Sequence, residues 1–321
     1  MPAITVDNVL SLPRLEHPAP GSQPRPVQQV LTALTTFEGE GFQVRRAFPS
    51  PSLRGADPFI LLDHLGAVEY APGEAKGAPD HPHRGFETVT YIIDGAIEHR
   101  DSTGGGGTIT DGATQWMTAG AGIVHSEMPP EYLVRAGGLF HGVQLWVNLP
   151  RAEKWAPPRY QDLESTELSL ATTDDGGALV RVIAGHLGAL AGPGSTYTPI
   201  VYAHATLQPG AELSIPWPHD FTAMAYSLAG HGRAGPSGKD AVITEGRLAV
   251  FGSGDHVVLR AGDRQATATP TLELLLLGGR PIHEPVVQYG PFVMNSRDEI
   301  VQAIEDYQAG RMGVIPPRSA F

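Results

Sequence analysis

Two short motifs, His81-Pro82-His83 and His125-Ser126-Glu127, place groups able to bind a metal or move a proton two residues apart. In an extended strand, residues i and i+2 project to one face, so His81 pairs with His83 and His125 with Glu127. On neighbouring strands, the two pairs gather three imidazoles and a carboxylate around one point. That donor set suits a divalent first-row transition metal, and the set alone accepts Fe, Mn, Co, Ni, Cu or Zn. The 41 residues between His83 and His125 span several strands and turns, as a barrel closing on itself requires. A single His-X-His or His-X-Glu is weak evidence, and the two together are stronger.

The elements that must position these residues read as β-strands. FQVRRAF from Phe42, PFILLDHLG from Pro58 and ETVTYIID (Glu87–Asp94) are rich in alternating and β-branched residues. Asp94-Gly95 marks a tight turn before the returning strand AIEHRDS. The run Gly104–Gly107 is followed by neither a lysine nor a helix pattern, so it reads as a flexible turn rather than a phosphate cradle. The expected organisation is a Pro-rich extended leader over 1–27, an N-terminal barrel over 28–150 and a linker over 151–167. A second barrel follows over 168–285, then a C-terminal segment over 286–321. Within that last segment Ser296 and Glu299 form a capping box. Ile300, Ile304 and Tyr307 share a face, so a helix is predicted over about 296–309.

The two β blocks look like one unit used twice. Tyr91 and Gly95 recur as Tyr226 and Gly230, offset by 135, and Gly120 and Gly122 recur as Gly252 and Gly254, offset by 132. On those offsets His81 and His83 fall on Pro216 and Pro218, and His125 and Glu127 fall on Val257 and Leu259. Residues needed only to build the barrel would recur in both copies. Confinement to one copy points to a site.

Composition narrows the function classes. The 321 residues carry 22 Lys and Arg against 34 Asp and Glu, a formal charge of −12, which disfavours direct nucleic-acid binding. The absence of cysteine excludes disulfides, zinc-thiolate sites and thiol nucleophiles. No signal-like start and no apolar run of about 18 residues is present, so a cytoplasmic protein with no membrane partner is expected. No G-X-S-X-G elbow occurs.

HPHRGFETVTYIIDG, QWMTAGAGIVHSEMP, DPFILLDHLG and EPVVQYGPFVMN together resemble the pirins, a bicupin branch, from about Phe42 to Gly313. The resemblance implies an all-β fold of two tandem jelly-roll cupin barrels with a short C-terminal helix. It implies one metal, iron in the best-known members, held in the N-terminal barrel by the residues matching His81, His83, His125 and Glu127. The wider cupin pattern instead puts the carboxylate four residues after the second histidine, at Glu87, whose parity also matches the histidines. The pirin match favours Glu127 as ligand and leaves Glu87 beside the site. Among other residues, Asp63-His64 reads as structural at the pocket edge. His99 lies across the hairpin, and Arg84 faces away. His141 starts a strand and reads equally as a core residue, and the aromatics Trp116, Phe140 and Trp146 are assigned to the core.

By resemblance, the expected activity is a quercetin 2,3-dioxygenase: O2 opens a flavonol ring and CO leaves, with Glu127 as general base. The alternative is a non-enzymatic, metal- and redox-sensing regulator that binds a transcription factor or metabolic enzyme. An isomerase or a metal that only stabilises the fold is a third reading.

Overall fold

The computed structural model describes residues 4–54, 56–265 and 269–316. Strands dominate. In the N-terminal half a seven-stranded antiparallel sheet runs in the order Arg159–Leu163, Thr114–Thr118, Phe86–Asp94, Gly138–Asn148, Phe59–Tyr70, Phe42–Phe48 and Leu34–Glu38. It faces a four-stranded sheet in the order Ala78–His83, Ile123–Met128, Ile97–Asp101 and Gly106–Ile109. The C-terminal half repeats the plan with a large sheet centred on Leu272–Gly279 and a small one containing Glu212–Pro216 and His256–Ala261. These are the two tandem barrels expected.

The barrels differ in what fills them. Leu213, Ile215, Val257 and Leu259 point into the C-terminal barrel and close it with hydrocarbon. The buried positions on the first of those strands are Leu213 and Ile215, not Pro216, so the offset of 135 misses the inward face by one residue. The inner face of the N-terminal barrel is polar instead. One rung across its large sheet reads Asp162, Gln115, Thr90, Gln144, Asp63, Arg46, each directly opposite the next on adjacent strands. The outer face of the same sheet is apolar and packs on the large sheet of the second barrel. Val89, Tyr91 and Trp116 there meet Tyr202, Tyr226 and Leu275 in one shared core.

The domain boundaries differ from those expected. Val27–Thr32 is the edge strand of the C-terminal barrel, paired with Arg247–Phe251, and the chain enters its own barrel only at Leu34–Glu38. The supposed linker holds Arg159–Leu163, which pairs with Thr114–Thr118 of the first barrel. Both strands close their ladders with partners far away in sequence, so local composition hides them. The leader lies along the second barrel, with bridges from Arg14 to Thr172 and Pro24 to His256. The glycine run is half strand, since Gly106 and Gly107 pair with Arg100 and His99.

The C-terminal segment crosses back to the first barrel. A hairpin, Val287–Tyr289 with Phe292–Met294, precedes a helix, Arg297–Gln308, whose Ser296 cap accepts from the Glu299 backbone N–H. The helix buries Ile300, Ala303 and Asp306, while Tyr307 is exposed, so its inner face is rotated from the one expected. Arg84, directed away from the histidines, meets that inner face: its guanidinium bonds Asp306 at 2.7 Å. Among the described residues no helix is long and apolar enough to cross a membrane.

Candidate metal centre

His81, His83 and His125 converge, with ligand-capable atoms all within 4.8 Å of one another. His125 sits directly opposite His81 on the neighbouring strand, so the period-2 pleat brings the three rings together. Two of the three tautomers follow from hydrogen bonding. His81 Nδ1 donates to the Pro79 carbonyl at 2.7 Å and His83 Nδ1 to the Pro291 carbonyl at 3.4 Å. In the neutral rings both Nε2 lone pairs then face each other at 3.1 Å. Such a contact is repulsive unless a proton or a cation lies between the atoms. Among the described residues both nitrogens of buried His125 lack any hydrogen-bond partner, at a cost of about 1–3 kcal/mol for each unsatisfied group. Burial, then the neighbouring imidazoles, hold His83 and His125 well below the usual histidine range, so both rings are neutral and keep a nitrogen lone pair for a metal. The three side chains fit a divalent metal.

Glu127 is on the same strand as His125, but a bulge between them shifts its register and it lies outside the imidazole cluster. Thr90 Oγ1 donates to its Oε1 at 2.9 Å, and Gln144 Nε2 reaches Oε2 at 3.0 Å. Glu87 is placed elsewhere. Gly85, at φ +88°, separates the strand ending at His83 from the one starting at Phe86, and the alternation restarts there. Glu87 therefore shares the outer face with Val89 and Tyr91. It accepts from Thr118 Oγ1 at 2.7 Å, and burial pushes its carboxyl up to about 7. The parity argument that kept Glu87 beside the histidines fails on that glycine.

The cluster opens on a cavity of about 850 Å³ whose walls include Leu61, Tyr70, Phe140 and Trp146. Trp146 and Phe140 pack against small buried apolar clusters and also line the pocket, and the Trp146 ring centroid is 5.3 Å from that of His83. Trp116 is core, as expected. Asp63 lines the cavity and forms a two-bond pair with Arg46, at 2.8 and 2.6 Å. His64 turns the other way, bonding His141 at 2.8 Å and the Tyr226 hydroxyl of the second barrel at 3.2 Å. His99 is buried at the back of the site against the Gln115 amide. The mouth is formed by Tyr289, Gly290 and Pro291 of the C-terminal hairpin. Sequence reasoning gave that hairpin no role, although the segment EPVVQYGPFVMN was singled out as a motif.

Two cupin barrels in tandem, one carrying a histidine cluster over a cavity and the other filled with hydrocarbon, define a bicupin. Residues 41–147 match the pirin family model, and residues 202–313 match the pirin C-terminal cupin domain. A pirin-like protein from Solanum lycopersicum is 43% identical over 294 residues, covering 91% of this chain and 94% of that one. Pirin from Mus musculus is 42% identical over 277 residues, covering 86% and 90%. The solved structure of a quercetin 2,3-dioxygenase from Acinetobacter baumannii matches with a TM-score of 0.84 at 34% identity, covering 92% of this chain and all of that one. The chain belongs to the pirin family.

Proposed function

We propose that the protein is a metal-dependent dioxygenase that opens a flavonol ring with O2 and releases CO. The observation that carries this reading is the trio His81, His83 and His125, with both ring nitrogens of His125 unpartnered among the described residues, set against a cavity of mixed polar and apolar lining able to take a flat, hydroxylated aromatic molecule. The likeness to a quercetin 2,3-dioxygenase supports the substrate class. The three histidines would hold the metal, with iron the ion implied by the pirin resemblance. A divalent metal there supplies Lewis acidity towards the flavonol hydroxyl.

The remaining chemistry falls to the chain. Glu127, held by Thr90 and Gln144, is aimed along the cavity wall, where its carboxylate takes the hydroxyl proton. Its acceptor capacity is not exhausted by those two donors, because an ionised carboxylate has about four acceptor positions. Trp146 and Phe86, packed with ring centroids 4.4 Å apart, shield the His83 side from bulk water. The deciding experiment is oxygen uptake with quercetin, using protein stripped of metal and reconstituted separately with Fe, Mn, Co, Ni and Cu. Uptake matched by CO release, and lost in His83→Ala, is the expected result. Stoichiometric metal without uptake on quercetin would overturn the reading and favour the redox-sensing regulator.

A further inference from the structure

The polar rung on the inner wall continues past Glu127 in one direction. Gln144, which bonds Glu127, lies directly opposite Asp63, and Asp63 lies opposite Arg46. All three line the same cavity. With neighbouring strands about 4.8 Å apart, Arg46 stands two strands, or roughly 10 Å, from the Gln144 position beneath Glu127. Between them the wall is otherwise apolar, with Leu61 and Trp146 facing the same space.

Arg46 is built into place rather than left loose. Its Nε and Nη2 bond both oxygens of Asp63, Nη2 also bonds Glu38, and the Asp63 side chain is only 5% exposed. No hydrogen bond to Nη1 is made among the described residues, so that group retains donor capacity at the cavity wall. One guanidinium facing two carboxylates gives the cluster a net charge of −1. Such a cluster offers both a donor, Arg46 Nη1, and acceptors, on Asp63 and Glu38. A neutral hydroxyl uses both.

We propose that Arg46 and Asp63 form a specificity subsite that reads a second, neutral hydroxyl on the wall away from the reacting one, selecting polyhydroxylated aromatic substrates over mono-hydroxylated analogues. The inference rests on the flavonol reading of the site. It adds a second polar reading position that the histidine cluster by itself does not define.

The test compares binding of quercetin with that of 3-hydroxyflavone, which lacks every hydroxyl but the reacting one. Quenching of tryptophan fluorescence in the metal-loaded, full-length protein, kept anaerobic, reads binding without turnover. Wild-type protein is expected to prefer quercetin by about tenfold or more. In Arg46→Leu the ratio falls to within about twofold of one, and Arg46→Lys, which keeps a donor, falls between. If Arg46→Leu does not fold, the wild-type ratio and Arg46→Lys still decide. A wild-type ratio near one, an undiminished ratio in the Arg46 variants, or no binding of either flavonol would overturn the subsite. Discrimination without oxygen uptake on readmitting air sinks the oxygenase reading and leaves the subsite standing. Uptake without discrimination does the reverse.

Discussion

The two carboxylates that competed for one role separate cleanly by surroundings. Glu127 is reached by the Thr90 hydroxyl and the Gln144 amide and faces the cavity, while Glu87 faces the apolar layer between the barrels. Glu127→Gln is expected to keep its neighbours' packing and most of the bound metal, but to lower kcat with quercetin by 10²–10⁴-fold, the usual worth of a general base. Metal analysis alongside single-turnover kinetics checks this, and wild-type turnover would remove Glu127 from the mechanism. Glu87 makes a different prediction. Its folded pKa of about 7 lies above the ordinary value of 4.5, so the folded state keeps its proton where the unfolded state has released it. Its contribution is fully present below about pH 4.5 and is lost as pH rises through 7. Glu87→Gln removes that loss, because Thr118 can still donate to the amide oxygen. At pH 8 the variant should be more stable by about 2 kcal/mol, a discounted value for a shift of this size, and near parity at pH 4. Denaturant midpoints at the two pH values decide it, and equal differences at both would refute the assignment.

At the scale of elements, the segment after His83 is clamped from the far end of the chain. Arg84 reaches Asp306 of the C-terminal helix, Val293 N–H donates to the Arg84 carbonyl, and Lys154 Nζ bonds the carbonyls of Gly85 and Val293. Asp306→Asn leaves a buried guanidinium without its charge partner, and breaking such a pair costs about 3–5 kcal/mol. Because Arg84 follows His83 directly, the same substitution should weaken metal binding several-fold, as read by competition with a chelator. Unchanged metal affinity would show that the clamp serves stability alone. The histidine trio was legible in the sequence because His81 and His83 share one strand and His125 lies directly opposite His81, whereas the bulge that displaces Glu127 from His125 left no signal. The parity that kept Glu87 in contention fails because one glycine at positive φ restarts the two-residue period. The clamp, the hairpin at the mouth and the edge strand Val27–Thr32 left no local signal, since each is fixed by a partner more than a hundred residues away.

For the whole molecule, the barrels are joined in ways that tie the fate of one to the other. An N-terminal strand completes the second barrel before the chain enters the first, and the two large sheets share one apolar core. Polar contacts cross the same layer: the Tyr91 hydroxyl bonds His204 Nδ1 at 2.9 Å, and His204 in turn bonds Glu273 at 3.0 Å. Opening either barrel alone would expose that core and strand these buried groups, so the two should unfold as one cooperative unit. Metal bound only in the first barrel then stabilises both, by RT ln(1 + [M]/Kd), or about 2.7 kcal/mol at a hundredfold excess over Kd. Calorimetry is expected to give a single transition that moves upward as a whole on metal addition. Trp217, in the core of the second barrel, offers a local check. In a variant with the other three tryptophans changed to phenylalanine, its fluorescence midpoint should shift with the calorimetric one. A Trp217 transition indifferent to metal would mean that the barrels melt separately, and that the shared layer is a contact surface rather than a common core.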